Sequence, residues 1–207
     1  MTSKIKQYLK RSKVIPVLVI ENLQDAVPLA SALYHGGLEV LEITLRTEAA
    51  IESIKQIKQA LPDAVIASGT VINAASLEAS LEAGVDFVVS PGSTPELLSA
   101  VKSNNALILP GATSATEVMN LLALGYNCLK FFPAEAAGGV KMLSSLNGPL
   151  PQAQFCPTGG INLSNAKQYL QLDNVVCVGG TWMLTKQLIQ QKNWSAITQL
   201  AKQASLL

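Results

Sequence analysis

Short apolar runs rich in Val, Ile and Leu alternate with longer segments in which apolar residues recur every three or four positions. The short runs are typical of buried β-strands, and the longer segments have the period of amphipathic α-helices. The predicted strands span residues 14–20, 38–45, 64–70, 85–90, 106–110, 127–132, 154–157 and 175–178. The predicted helices span residues 3–11, 23–35, 48–60, 74–83, 95–103, 116–124, 139–146, 165–170 and 195–204. Strands and helices are thus predicted to alternate over the whole chain.

Strand–helix units that repeat about every 25 residues predict an α/β protein with a parallel (β/α)8 TIM barrel. Parallel strands need a crossover between them, and eight such units can close into a ring. The extra N-terminal helix, residues 3–11, is expected to cover the bottom of the barrel. An open, doubly wound sheet is the alternative architecture. Because no linker or low-complexity stretch divides the chain, residues 1–207 are predicted to form a single domain.

The residues that flank the predicted helices agree with these boundaries. Asn73, Thr94 and Ser164 each precede a helix, where their side chains can accept a hydrogen bond from a free amide of the first turn. Gly36 and Gly84 follow helices, where glycine suits the turn that leaves the helix.

The composition excludes several classes of function. The formal net charge is +1 and the basic residues are spread along the chain, so nucleic acid is not an expected partner. No apolar run approaches the length of a membrane span, and no signal-peptide pattern is present, which predicts a cytoplasmic protein with no membrane partner. A charged fraction of 14% beside 49% hydrophobic residues indicates apolar surface that an oligomer would cover.

The cysteines and the single histidine give no metal-binding pattern. Cys128, Cys156 and Cys177 are odd in number, far apart and embedded in apolar runs, so they are predicted to be buried thiols and not a disulfide framework. His35 lies at the end of a predicted helix, where it suits capping better than catalysis. Because a catalytic metal site uses several histidines or a cluster of carboxylates, we expect no metal and no cofactor.

One lysine lies in an apolar strand. Because side chains alternate along a strand, Lys130 is predicted to point into the barrel while Leu129 and Phe131 face the helices. An ammonium group among Phe and Leu side chains is costly unless it is paired, and desolvation favours the neutral amine. A neutral amine can attack a keto carbonyl to give an iminium ion, which is the chemistry of class I aldolases. A structural ion pair, or a lysine that reaches solvent, is the alternative interpretation.

The second strand places polar side chains on the same inward face. The period of two puts Glu42, Thr44 and Arg46 together. Glu42 can transfer protons beside Lys130, and the planar guanidinium of Arg46 suits the carboxylate of a 2-keto acid. A structural salt bridge is the alternative for Glu42, and an ordinary surface position is the alternative for Arg46.

The ends of the other predicted strands carry hydroxyl groups and glycines. Thr70 ends the third strand, and Pro91 follows the fourth, where the backbone can approach a ligand. Gly159 and Gly160 follow the seventh strand with Thr158 before them, and Gly179 and Gly180 follow the eighth with Thr181 after them. These barrels commonly bind phosphate after strands seven and eight, so the two glycine pairs predict an anion site, although each pair alone is more often a turn.

Together these strand ends resemble the 2-keto-3-deoxy-6-phosphogluconate (KDPG) aldolases, also described as 4-hydroxy-2-oxoglutarate aldolases. The resemblance spans essentially the whole chain. The segments that carry it are residues 40–47, 69–71, 90–92, 130–135, 156–161 and 179–180.

The resemblance implies a class I lyase that acts on a small 2-keto acid. It implies a Schiff base on Lys130 and proton transfer by Glu42. It also implies that Arg46 and Thr70 contact the substrate carboxylate, and that Pro91 and Phe132 pack against the keto acid. The resemblance further implies a homotrimer of the Entner–Doudoroff pathway that needs no metal.

For the distal phosphate, the family pattern implies contacts from Gly159, Gly160, Gly179, Gly180 and Thr181. Family members commonly have Ser where Thr181 stands. Thr158 matches the hydroxyl-bearing position of the phosphogluconate enzymes, in contrast to the related phosphogalactonate aldolases. Ala67 and Ser68 stand where family members often carry Gly and Ala, and this difference leaves the substrate preference open.

Two other functions remain compatible with the sequence. A phosphosugar isomerase or synthase would share the two glycine pairs but use acid–base catalysis without a covalent lysine. A non-catalytic barrel that binds phosphorylated metabolites would share the same fold.

Overall fold

The computed structural model describes residues 2–207, which form eight strands and ten helices. The strands are β1 (Val14–Leu18), β2 (Val40–Thr44), β3 (Val65–Gly69), β4 (Phe87–Val89), β5 (Ile108–Leu109), β6 (Cys128–Phe131), β7 (Gln154–Pro157) and β8 (Val178–Gly180). The helices are α1 (Thr2–Leu9), α2 (Leu23–His35), α3 (Ala50–Ala60), α4 (Ala74–Glu82), α5 (Pro95–Ser103), α6 (Ala115–Ala123), α7 (Gly139–Asn147), α8 (Ala166–Leu170), α9 (Lys186–Gln190) and α10 (Trp194–Ser205).

The strands are parallel and the sheet is curled, so the predicted α/β class is confirmed. Six strands pair in the order β5-β4-β3-β2-β1-β8, and β6 pairs with β7. Continuous ladders do not join β5 to β6 or β7 to β8. Isolated parallel bridges lie at these two places, from Gly111 just after β5 to Lys130 of β6, and from Thr158 just after β7 to Gly179 of β8. The carboxyl ends of the strands therefore lie at one edge of the curled sheet, where residues far apart in sequence can meet.

Alternate strand residues divide the apolar side chains between two clusters. The inner cluster consists of Ile5, Leu9, Ile15, Val40, Val65, Ala67, Phe87, Val89, Leu109, Cys128, Cys156 and Cys177. Leu129 and Phe131 belong to the outer cluster, which packs between the strands and the helices. The Tyr8 ring of α1 stacks on Phe87 with ring centroids 5.9 Å apart. The predicted facing of β6 is confirmed, because only its odd-numbered residues face the helices.

The three cysteines are free and buried, as predicted. Within residues 2–207, no helix is long and apolar enough to cross a membrane. The part of the chain that the structure describes also contains no group of three or more His, Cys, Asp or Glu residues able to hold a metal ion.

The helix boundaries are set by the residues that cap them. The side chains of Asn73 and Thr94 accept hydrogen bonds from the first-turn amides of α4 and α5, as predicted. Gly84 follows α4 with a φ of +81°, a left-handed conformation that favours glycine. Ser164 is not the N-cap of α8, so that prediction is wrong. Asn165 occupies the cap, and Ser164 instead donates its amide to Asn162 Oδ1 in the preceding turn.

Two further predictions fail near the carboxyl end of the chain. β8 spans Val178–Gly180 and not residues 175–178, because the backbone pairs with β1 through Val178, Gly179 and Gly180. Gly179 and Gly180 therefore lie within the strand and not after it. Helix α9 was not predicted, since its apolar residues Leu188 and Ile189 are adjacent and do not recur at the helical period.

Candidate active site

A buried ion pair joins β6 to β2 inside the curled sheet. Lys130 Nζ lies 2.9 Å from Glu42 Oε1 and 3.3 Å from Glu42 Oε2. Only 7% of the Lys130 side chain and 6% of the Glu42 side chain are exposed. Lys130 Nζ also lies over the ring of Phe132, 5.5 Å from its centroid. This arrangement holds a primary amine and a proton acceptor in direct contact, largely shielded from water.

Lys130 opens onto a cavity of about 220 Å³ at the carboxyl ends of the strands. The cavity brings together all the predicted site residues except Glu42, which contacts Lys130. Its lining consists of Val17, Arg46, Thr70, Pro91, Lys130, Phe132, Thr158, Gly159, Gly160, Ile161, Gly179, Gly180 and Thr181. A volume of this size, with an amine in its wall, suits a small metabolite.

Arg46 and Thr70 lie together in the lining of the cavity. Arg46 Nε donates a hydrogen bond to Thr70 Oγ1 at 3.3 Å. Thr70 has a φ of +63°, which is rare for a β-branched residue and is found mainly at functional sites. Arg46 is an exposed residue, and the other donors of its guanidinium group can bind a carboxylate.

Glycine is required at Gly179 and Gly180, which also line the cavity. A Cβ on Gly179 would lie 2.3 Å from Thr158 Oγ1, and a Cβ on Gly180 would lie 1.9 Å from the Trp182 ring. Gly159 and Gly160 have φ values of +100° and +79°, conformations that favour glycine. Consecutive backbone amides without side chains over them are the usual way in which proteins bind phosphate.

Two other polar residues that the sequence indicated as candidates, Thr44 and His35, do not line the cavity. Thr44 donates a hydrogen bond from its hydroxyl to Leu18 O at 2.9 Å, which links the ends of β2 and β1. His35 is exposed in the last turn of α2, away from the residues that line the cavity. Neither residue contributes to the candidate site.

Sequence reasoning missed two apolar residues of the cavity. Val17 lies on β1 opposite Glu42, and Ile161 follows the glycines after β7. Both look like ordinary core residues in the sequence. The available signal for Val17 was its inward period, two residues after Ile15 of the inner cluster.

Comparison with known proteins agrees with this geometry. Residues 5–200 match the family described as aldolase, KDPG and KHG aldolase. A 2-dehydro-3-deoxy-phosphogluconate aldolase from Pseudoalteromonas atlantica is 49% identical over 191 residues, which cover 92% of this chain and 89% of the relative. The KHG/KDPG aldolase of Escherichia coli K12 is 43% identical over 196 residues, covering 95% of this chain and 92% of the relative.

Two solved structures are also similar. The KDPG aldolase of Legionella pneumophila, with pyruvate captured at low pH as a covalent carbinolamine intermediate, is 47% identical with a TM-score of 0.94 over 97% of each chain. The Zymomonas mobilis ZM4 aldolase with 3-phosphoglycerate is 44% identical with a TM-score of 0.94, covering 99% of this chain and 96% of that one.

The parallel α/β fold and these relatives define the class of the protein, a lyase of the aldolase type. The chain belongs to the KDPG and KHG aldolase family.

Proposed function

We propose that the protein cleaves KDPG reversibly to pyruvate and glyceraldehyde 3-phosphate through a Schiff base on Lys130. Cleavage of 4-hydroxy-2-oxoglutarate to pyruvate and glyoxylate would be a second activity of the same site. The observation that carries the proposal is the buried amine of Lys130, 2.9 Å from Glu42 and open to the cavity. The covalent pyruvate carbinolamine of the Legionella pneumophila relative supports it.

The proposed reaction begins when Glu42 accepts a proton from Lys130 and the neutral amine attacks the keto carbon of the substrate. Loss of water leaves an iminium ion. The bond between C3 and C4 then breaks, its electrons move into the iminium, and the proton of the C4 hydroxyl passes to a base as the aldehyde leaves. The resulting pyruvyl enamine is protonated at C3, and water hydrolyses the iminium to release pyruvate and regenerate Lys130. Glu42 lies close enough to the amine to transfer these protons, directly or through one water molecule.

The other residues of the cavity have proposed roles in binding. Arg46 and Thr70 would bind the carboxylate next to the keto group, and their mutual hydrogen bond supports a shared ligand. Pro91 and Phe132 would pack against the keto acid, because both line the cavity beside Lys130.

The phosphate group is proposed to bind at the two pairs of glycines. Gly159, Gly160, Gly179, Gly180 and Thr181 would surround it, with no metal or cofactor in the reaction. The 3-phosphoglycerate present in the Zymomonas mobilis structure supports a phosphate-binding end of the cavity. Thr158 also lines the cavity and would favour the gluconate epimer over the galactonate epimer.

We further propose that residues 1–207 form a single domain, a closed (β/α)8 barrel in which α1 covers the bottom. The isolated bridges between Gly111 and Lys130 and between Thr158 and Gly179 support closure. Ile5 and Leu9 of α1 support the covering role, since both belong to the inner cluster. A homotrimer in the cytoplasm that acts in the Entner–Doudoroff pathway completes the proposal.

Trapping with borohydride tests the mechanism. Incubation with pyruvate and borohydride should add a reduced pyruvyl group to one peptide, the one that contains Lys130, as located by mass spectrometry. Lys130→Met should abolish both the adduct and cleavage, and Lys141→Met, an exposed lysine of α7, serves as the matched control. No adduct, an adduct on another residue, or retained turnover in Lys130→Met would contradict the Schiff base and favour an isomerase-type or purely binding barrel.

The substrate is tested separately. The ratio of kcat/KM for KDPG to that for 4-hydroxy-2-oxoglutarate should exceed unity, because the glycine pairs offer the phosphate contacts that the diacid cannot use. Equal or reversed values would contradict KDPG as the preferred substrate while leaving the Lys130 chemistry intact.

A further inference from the structure

Backbone hydrogen bonds join the segment after β6 to the segment after β7. Ala134 N donates to Thr158 O at 2.8 Å, and Glu135 N donates to Gly159 O at 3.1 Å. Neither Ala134 nor Glu135 lines the cavity. The conformation of the glycines at the proposed phosphate end therefore depends on a segment that does not face the substrate.

The side chain of Glu135 packs directly against Gly160. A Cβ on Gly160 would lie 2.5 Å from Glu135 Cγ and 2.7 Å from Glu135 Cβ, so the glycine leaves the space that the stem of Glu135 fills. The carboxylate accepts a hydrogen bond from the phenol of Tyr169 on α8. Gly139 completes this packing, since a Cβ there would lie 3.0 Å from Tyr169 Oη and 3.2 Å from Glu135 Oε1.

Tyr169 is a fixed donor in this arrangement. Its side chain is fully buried. Burial raises the pKa of Tyr169 well above its usual range, and the hydrogen bond and the charge of Glu135 raise that pKa further. The phenol therefore stays protonated at any pH at which the enzyme would work, and it holds the Glu135 carboxylate on the side of α8.

Asn165, the N-cap of α8, also contacts Gly160. Asn165 Nδ2 donates to Gly160 O at 3.1 Å, and Asn165 Oδ1 accepts from Asn162 N at 2.8 Å. Asn165 and Tyr169 are four residues apart, a spacing that places two side chains on one face of a helix. Asn165 thus holds the carbonyl of Gly160, and Tyr169 holds the Glu135 side chain that packs against Gly160.

We propose that Glu135, Tyr169 and Asn165 are positioning residues for substrate phosphate: they fix Gly159 and Gly160 in left-handed conformations that present their amides to the phosphate, without contacting it. The inference rests on the proposed function and deepens it. A direct electrostatic role for Glu135 predicts the opposite effect, because a carboxylate beside a phosphate would weaken its binding.

Tyr169→Phe tests the proposal, since it removes one hydroxyl and leaves the packing of the ring. The KM for KDPG should rise roughly ten-fold, because binding must then also order the two glycines that Glu135 no longer holds. Exchange of the pyruvate methyl protons, which needs Lys130 and Glu42 but no phosphate, should change less than about two-fold. Tyr126→Phe is the matched control, because Tyr126 is a partly buried phenol just before β6 that does not line the cavity.

Two Glu135 variants separate position from charge. Glu135→Ala should raise the KM for KDPG as Tyr169→Phe does, and the double variant should be no worse than either single one, because both break the same contact. Glu135→Gln keeps an acceptor for Tyr169 and should stay close to wild type. A lower KM in Glu135→Ala or Glu135→Gln, or equal losses in KDPG cleavage and pyruvate exchange, would overturn the proposal.

Inorganic phosphate distinguishes failure of this inference from failure of the proposed function. Phosphate should raise the melting temperature of the wild-type protein and of Tyr126→Phe, and this shift should be reduced in Tyr169→Phe. If the wild type fails to cleave KDPG but the phosphate shifts follow this pattern, the positioning role stands and the proposed substrate is wrong. If the wild type cleaves KDPG and Tyr169→Phe has an unchanged KM and phosphate shift, the positioning role is wrong.

Discussion

Gly69 leaves the space in which the carboxylate of Glu42 lies. A Cβ on Gly69 would lie 2.3 Å from Glu42 Oε1 and 2.9 Å from Glu42 Cδ, and such distances do not occur in proteins without a shift of one group. The two residues lie on the paired strands β2 and β3, and Thr44 is the register partner of Gly69. A glycine at the end of β3 thus permits the contact between Glu42 and Lys130.

Gly69→Ala is therefore expected to displace the Glu42 carboxylate from Lys130. Because small misplacements of a catalytic group are costly, kcat for cleavage should fall by roughly 100-fold while the protein stays folded. Circular dichroism and steady-state kinetics check this together. Gly148→Ala, at the end of α7 where a Cβ meets only Ser145 O at 4.0 Å, is the matched control and should behave like wild type. Unchanged kcat in Gly69→Ala would remove Glu42 from the proposed proton transfers.

The buried pair of Lys130 and Glu42 should be coupled in stability as well as in catalysis. Removing one partner leaves the other charge without compensation, so Lys130→Met and Glu42→Leu should each lower the free energy of unfolding by about 3–5 kcal/mol. The double variant should recover most of this loss, since two apolar side chains then replace the pair. Urea denaturation of the four proteins measures the coupling, and strictly additive losses would contradict it.

Arg46 is expected to require its guanidinium geometry and not its charge alone. Arg46→Lys keeps the charge but loses the planar fork, so the KM for pyruvate in methyl-proton exchange should rise about ten-fold or more. Arg11→Lys is the control, because Arg11 forms an exposed pair with Glu39 at 2.7 Å, outside the cavity. An Arg46→Lys enzyme with wild-type KM would place the substrate carboxylate elsewhere.

Thr181 is expected to contribute its hydroxyl and not its methyl group. Thr181→Ala should raise the KM for KDPG about ten-fold, while Thr181→Ser should stay near wild type, since only the hydroxyl can bind phosphate. Pyruvate exchange should be unaffected in both variants. Equal behaviour of Ala and Ser at this position in KDPG cleavage would exclude a phosphate contact from the side chain.

Ionisation of Glu117 should make the free energy of unfolding depend on pH. Its carboxylate accepts hydrogen bonds from Thr113 and Ser114 at the start of α6, and the backbone hydrogen bond from Thr113 is the main cause of a pKa below the ordinary 4.5. Because the folded-state pKa is lowered, this contribution is present above pH 4.5 and is lost as pH falls through the lower folded-state value.

Glu117→Gln should therefore lower the free energy of unfolding by only about 0.3–1 kcal/mol at pH 7, because the amide keeps the capping hydrogen bonds and loses the charge at the helix N-terminus. The difference from wild type should shrink on acidification below pH 4.5. Denaturation at a series of pH values measures it. Glu52→Gln, in a half-exposed i,i+3 pair with Lys55 at 3.8 Å, is the control and should change little. A Glu117 effect that is constant with pH would point to packing as its cause.

The sequence predicted most of the fold because each signal was local. Pro95–Ser103 begins after Thr94 and ends where its period ends, and Leu129 and Phe131 face the helices because strand residues alternate. Lys130 was identifiable because an amine inside an apolar strand conflicts with its surroundings.

Long-range contacts explain what the sequence could not predict. The glycines of β8 carry no strand propensity, and they form a strand because their backbone pairs with the distant strand β1. Val17 is an ordinary core residue until the fold places it beside the cavity. Glu135 and Tyr169 meet only when the segment after β6 lies against α8, so their contact has no signature in either segment.

The three thiols inside the curled sheet allow transient opening of the sheet to be measured by chemical modification. Cys128, Cys156 and Cys177 are at most 3% exposed. Burial raises the pKa of Cys128, and a hydrogen bond with Cys156 together with burial raises that of Cys177. A disulfide reagent can thus react only after strands separate, and its reaction rate in native buffer counts those separations. The protein thus contains its own probe for the rate at which its core opens transiently.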